Sequence, residues 1–343
     1  MLLTASLMVI GCSKDDGDSS QPAVEEKGRS EICVKTNVSN MQSRATTIDN
    51  TTLHEYDLKI DAYYNGTNGV FLDGVMLHYD SAEPAALKWK FWDASEEEQL
   101  HYYWPFEGSK TPEGDLASTL DFVGFCPFTA PEYITSSSYA HASGASFTCD
   151  VSNYMTLARQ IGDEAPTIPV MQEYLIAVLN EQTLATQTAA GGAVPLVFKH
   201  PFALIKFVIA EGSGTHVKVN SISISGLNTQ ATCTYNGTTI SWGSYSGTAD
   251  MELDDLNLQY GTATTETTPY LVIPKNYGSK TLTINGTWND WSGNGAWDPA
   301  LNVTKDLSTD LDINWEPGYI YTYNLTVTPY AIKVNEAKYT EQW

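Results

Sequence analysis

From residue 31 onward the chain is written as short runs of alternating apolar and polar residues separated by turn residues. Ile32 to Val38, Tyr56 to Tyr64, Leu100 to Phe106, Leu120 to Phe128 and Ser146 to Val151 carry β-branched or aromatic residues at a period of two. That period sends successive side chains to opposite faces, so these runs predict strands. Asn-Gly, Asp-Gly, proline and serine clusters lie between them and predict the turns.

The pattern resumes in Pro195 to Ala210, His216 to Leu227, Ala231 to Trp242, Pro269 to Pro274, Lys280 to Trp288 and Tyr319 to Val334. In the last of these, Tyr319, Tyr321, Tyr323, Leu325 and Val327 share one face and Ile320, Thr322, Asn324, Thr326 and Thr328 the other, so one face is expected to be buried. No long stretch repeats at helical spacing, which predicts an all-β fold of sandwich type, with any helix confined to loops such as Ser95 to Gln99. Thr167 to Leu179 is apolar and suits either state. The Thr, Ala, Gln and Gly run from Thr183 to Gly192 is the best domain boundary, giving a sandwich over residues 31–182 and a second over 193–343 with no detectable repeat between them.

Composition narrows the function. The 343 residues suit two domains, and 42% hydrophobic with 11% aromatic residues supplies both cores. Acidic residues outnumber basic ones 41 to 18, a net charge of −23, so a phosphate backbone or an anionic lipid surface would be repelled. Nucleic acid is excluded as a partner, and attachment to a membrane has to come from a lipid.

Residues 1–11 form an apolar run ending in Val9-Ile10-Gly11-Cys12, which resembles a bacterial lipoprotein signal peptide with its lipobox. The run is shorter than the roughly 20 residues of a membrane span, and no Lys or Arg precedes it, so an upstream start is expected. The resemblance implies a Cys12 acylated on its thiol as the outer-membrane anchor. Residues 12–30 read as a flexible tether; Ser13-Lys14-Asp15-Asp16 resembles the surface-export signal of Bacteroidetes-type lipoproteins, or is simply solvated. Cys33, Cys126, Cys149 and Cys233 allow three disulfide pairings in an oxidising compartment, with buried thiols on strands the preferred reading for most of them.

Several phrases, taken in order, resemble the fimbrillin family of pilus subunits over nearly the whole mature chain. They are Tyr56 to Tyr63, Trp89, Tyr102 to Pro105 and Leu120 to Pro127 in the first half, with Val197 to Phe207 and Trp315 to Tyr323 in the second. The resemblance implies two tandem transthyretin-like β-sandwiches on the cell surface, a structural or adhesive role, and other pilus subunits as partners, with a host protein or glycan as a further one. It places arginine-specific cleavage between Arg44 and Ala45, against the alternative of a solvated loop arginine. That cut would remove the strand Ile32 to Val38 and open a groove for the C-terminal segment of another subunit, with Tyr319, Tyr321, Tyr323, Leu325, Val327, Ile332 and Val334 as donor residues.

Chemistry is thin by comparison. His54, His78, His101, His141, His200 and His216 fall in no HExxH or HxH pattern, and His200 reads as structural. Glu96 to Glu98 and Asp254-Asp255 sit in polar surroundings where nothing raises a pKa for acid catalysis. No nucleotide-binding glycine loop, zinc spacing or carboxylate pair for glycoside hydrolysis is present, so no enzyme activity, cofactor or metal is expected. Trp288, Trp291 and Trp297 punctuate an apparent loop ending at Asp298, where exposed rings could stack on sugars or pack over a sandwich end. That loop carries the second reading, a surface glycan-binding lipoprotein of a polysaccharide-uptake system. Asp80-Ser81-Ala82 resembles an O-glycosylation triplet of the same bacterial group.

Overall fold

The computed structural model describes residues 30–39, 48–64, 69–84, 87–105, 119–158, 171–212, 216–254, 265–267, 269–289 and 302–342. Residues 12–29, with Cys12 and nearly all of the tether, and Arg44, Ala45, Trp291 and Trp297 lie outside these. The fold is all-β. The chain forms β1 (Val34–Val38), β2 (Leu58–Tyr64), β3 (Val70–Tyr79), β4 (Trp89–Asp93), β5 (Glu98–Gln99), β6 (Leu120–Cys126), β7 (Ile134–Ala140), β8 (Gly144–Asp150) and β9 (Thr156–Ala158). Then come β10 (Leu175–Gln182), the short helix α1 (Leu184–Ala189) and β11 (Val194–Phe198). The remainder supplies β12 (Ala203–Glu211), β13 (His216–Leu227), β14 (Gln230–Tyr235), β15 (Ile240–Ser246), β16 (Ala249–Asp254), β17 (Thr265–Glu266) and β18 (Tyr270–Val272). It closes with β19 (Asn276–Asn289), β20 (Asn302–Asn314), β21 (Tyr319–Val327) and β22 (Ile332–Gln342).

Two large hydrophobic clusters organise these strands. The first lies against the sheet β10-β6-β2-β3-β4-β5 and includes the parallel pair β1-β11. The second is enclosed by β20-β19-β13-β16-β9, by β17-β12-β21-β22 with β18 on β12, and by β15-β14-β8-β7. Strands β6 and β10 serve both. Leu120, Phe122, Cys126, Leu175 and Ala177 belong to the first cluster, whereas Val123, Phe125, Ile176 and Val178 belong to the second. Burial on both faces explains why β6 is apolar at every position but Asp121 while half-exposed strands alternate.

The cores therefore do not divide at the Thr183 to Gly192 run. Thr183 caps α1 in a capping box with Thr186, and Gln187 is buried against the first core. The expected opening strand from Pro195 to Ala210 is two strands in two cores, because Pro201 has no amide hydrogen to continue a ladder. Its first part, β11, pairs with β1, and its second part, β12, pairs with β21. In the opposite sense, β8 from the first half pairs with β14 from Gln230↔Asp150 to Tyr235↔Ala145. At the turn into β8, Gly144 takes φ +85°, and a Cβ there would lie 2.1 Å from the Tyr235 carbonyl oxygen, so only glycine lets the hairpin approach β14.

Smaller departures have local causes. The described part of the expected Leu100 to Phe106 strand, residues 100–105, holds a single antiparallel bridge, Tyr103 to Glu31. Strand β6 stops at Cys126 because Pro127 follows, and Ser95 to Gln99 holds turns and β5 with no helix. Tyr319 to Val334 is broken by a turn over Thr328 to Ala331, in which the Thr328 hydroxyl accepts from Ala331 N at 3.1 Å. Cys126, Cys149 and Cys233 are buried on β6, β8 and β14, and burial pushes the Cys149 thiol up to about 12.

Candidate functional site

Strand β1 alternates as its sequence requires: Ile32, Val34 and Val38 are 2%, 1% and 2% exposed, while Lys35 and Asn37 face solvent. Burying each such branched side chain contributes roughly 1.5–3 kcal/mol, so β1 is a substantial part of the first core. Its backbone is held less completely. A parallel ladder joins it to β11, from Val34↔Val194 to Val38↔Phe198, and among the described residues no second strand runs along its other side.

That other side is met by isolated groups. At the start, Ile32 N donates to Tyr102 O at 2.7 Å and Trp104 N to Ser30 O at 3.0 Å. At the end, Asn50 Oδ1 accepts from Val38 N at 2.7 Å while Asn50 Nδ2 donates to Val38 O at 3.3 Å. On the β11 side, where Cys33 O accepts from Val194 N, the Gln187 side chain accepts from Cys33 N at 3.2 Å and Trp104 Nε1 at 3.0 Å, and donates to Glu31 O at 2.9 Å. The sequence pattern could not show these amide contacts because their partners lie up to 156 residues apart.

The segment resuming at Ile48 has its own anchor. Ile48 N donates to Glu173 Oε2 at 2.8 Å, and Glu173 Oε1 accepts from His200 Nδ1 with both side chains at most 3% exposed. His200 is therefore a structural residue, as its sequence setting suggested. Asp49 Oδ1 accepts from Thr51 N at 2.7 Å and Thr52 N at 2.8 Å. The chain on the far side of residues 40–47 is thus held by Glu173 as well as by the Asn50 contacts to Val38.

At the other terminus, Tyr321, Tyr323, Leu325 and Val327 are at most 2% exposed within the second core, and Tyr319 packs against it. Strand β21 is paired along both edges, with β12 from Leu204↔Ile320 to Glu211↔Val327 and with β22. Tyr323 Oη accepts from Trp315 Nε1 at 2.8 Å, and Tyr321 Oη from Glu316 N at 2.6 Å. These five residues are interior and could be donated only by dismantling the sheet. Ile332 and Val334 lie on β22, which among the described residues pairs with β21 only and forms the edge of its sheet, so they remain candidates.

Trp288, expected in an exposed loop, is a residue of β19 at 3% exposure, with Lys305 Nζ 5.3 Å from its ring centre. A ring buried to that degree cannot stack on a ligand, which removes it from the candidate contact set. An open cleft of about 570 Å³ is lined by Glu55, Asp57, Glu132, Tyr56 and Phe128 among others. Among the described residues no group of His, Cys, Asp and Glu could hold a metal ion.

One titrating pair touches β1. Glu31 Oε1 accepts from His101 Nδ1 at 2.6 Å, and that hydrogen bond raises the His101 pKa against the opposing effect of its burial. A raised folded pKa means the pair's hold on Glu31 is complete below the ordinary histidine value of about 6.5 and is lost as pH rises through the folded pKa. Protection of the Ile32 amide, its exchange rate relative to the intrinsic rate at each pH, is accordingly expected to fall as pH rises above about 6.5. In a His101→Ala variant that protection should not change with pH over this range; constant protection in the unaltered chain would contradict the assignment.

Comparison with known proteins points one way. A family model described as fimbrillin-like matches residues 114–342, more than half of the chain. No curated protein matches the sequence. Among solved structures, a candidate cell adhesion protein from Bacteroides uniformis is similar at 17% identity and a TM-score of 0.45, covering 94% of this chain and 100% of that one. The tip fimbrial protein Mfa3 from Porphyromonas gingivalis, truncated at its C-terminus, is similar at 10% identity and a TM-score of 0.38 over 91% and 99% of the two chains. A fimbrial assembly protein from Parabacteroides distasonis gives 10%, 0.37, 89% and 94%. At such scores these likenesses carry no argument of their own.

Proposed function

The chain belongs to the fimbrillin-like family, and from that premise we propose that it is a structural or adhesive subunit of a cell-surface pilus. In this reading Cys12 carries the lipid that brings the chain to the outer membrane. An arginine-specific protease then cuts between Arg44 and Ala45. The cut frees β1 from the anchored segment at Ile48, and β1 leaves its slot beside β11. The vacated slot offers an apolar floor and one row of unpaired backbone groups, which an extended strand satisfies by strand addition.

The donor is β22 of the next subunit, the outermost strand of its own sheet and so the cheapest to withdraw. Each subunit would accept at one end and donate at the other, and such a head-to-tail contact that does not close on itself grows a filament. The observation that carries the reading is β1 itself, apolar on its inner face yet laddered on one side only.

Mass spectrometry of the protein recovered from the bacterial surface tests the processing. A mature N-terminus at Ala45 without an acyl group supports it. A chain still beginning at an acylated Cys12 in the assembled fraction overturns it.

A further inference from the structure

Along the inner face of β1 the residues are Ile32, Val34, Thr36 and Val38. Three carry branched alkyl groups and are almost fully buried. The third in order, Thr36, has its hydroxyl oxygen buried without a hydrogen-bond partner among the described residues. It sits opposite Leu196, a buried member of the first core, in the ladder with β11.

A hydroxyl taken from water into such a place loses its hydration and gains nothing in return. Valine has the same branched shape without that loss. The cost falls on the strand that carries the hydroxyl, since it is present only while β1 occupies the slot. Cys126, Phe122 and the other members of the first core stay apolar whether or not β1 is there.

We infer that Thr36 weakens the hold of β1 on its slot, because valine would keep the same branched shape without burying a hydroxyl that no described residue partners. Why a weakened strand is useful rests on the strand-exchange reading above; the weakness itself does not.

Hydrogen exchange on the intact, uncut chain reads the weakness directly, because the local opening of β1 exposes its amides. Thr36→Val is expected to slow exchange at Ile32, Cys33, Val38 and Ser39 about tenfold, the opening ratio set by one unsatisfied buried hydroxyl. Thr36→Ser, which keeps the hydroxyl and loses a methyl, should exchange faster than the unaltered chain. Amides in β13 and β19 report on folding and should not change in either variant. Equal or faster exchange in Thr36→Val, with those reference amides unchanged, would overturn the inference. Slower exchange in a chain that no arginine-specific protease cuts at Arg44 would leave the inference standing and remove the pilus-assembly reading instead.

Discussion

A chain ended after Tyr330 is expected to fold, to accept a neighbour's strand once processed, and to halt every filament it joins. Among the described residues strand β22 pairs with β21 only, while β21 keeps its eight-residue ladder to β12 and its buried side chains. The loss to the monomer is then the burial of Ile332 and Val334 and the outermost ladder, on the order of 2–4 kcal/mol. The loss to assembly is total, since no other strand of the second core is both outermost and C-terminal. Mixed in equal amounts with processed full-length protein, the shortened chain should reduce filament length sharply by electron microscopy. Unchanged lengths would place the donor elsewhere in the chain.

Asp121→Ala is expected to destabilise the fold by about 3 kcal/mol. Asp121 is fully buried on β6 and joins three elements of the fold. Its Oδ2 accepts from His141 Nδ1 at 2.7 Å and Tyr139 Oη at 2.9 Å, and its Oδ1 from Glu181 N at 2.7 Å. Removing a buried acceptor strands its donors, at about 1–3 kcal/mol for each that water cannot reach. The total stays near the lower end for a broken buried pair because the His141 side chain is 38% exposed and can turn to solvent. Urea denaturation should show the loss, with Asp121→Asn intermediate because one acceptor oxygen remains. A change below about 0.5 kcal/mol, the range of an ordinary surface substitution, would mean that the carboxylate does not tie these elements together.

The strands themselves were legible where alternation is clean. The period-two pattern of Ile32 to Val38 matches the burial of β1; in β21 it holds from Tyr323 to Val327, while Ile320 and Thr322 on the opposite face are buried as well. Pairing was not legible, because the partner of a strand depends on contacts far along the chain. Nothing in Gly144 to Asp150 announces that its neighbour is Gln230 to Tyr235, and nothing in the small-residue run after Thr183 announces that Gln187 turns inward to three groups around β1. Turn chemistry was legible but under-read: Pro201 splits one expected strand, and Pro329 lies in the turn that splits another. That second break decides the donor question, since it puts the tyrosine-rich face on an interior strand and leaves Ile332 and Val334 on the outer one. Trp288 was misplaced because its neighbours Asn289 and Asp290 are turn-forming residues, whereas the β19-β20 ladder runs on to Asn289↔Asn302.

The central claim is that cutting at Arg44 lets β1 leave and another subunit's strand take its place. Purified, non-acylated protein should therefore be digested with an arginine-specific protease, weighed by mass spectrometry and viewed by electron microscopy, with Arg44→Gln treated alongside. The account predicts a new N-terminus at Ala45, loss of the fragment bearing β1, and ladders or filaments that Arg44→Gln does not form. A chain that resists cutting at Arg44, or is cut there yet retains β1 and stays monomeric, would contradict it.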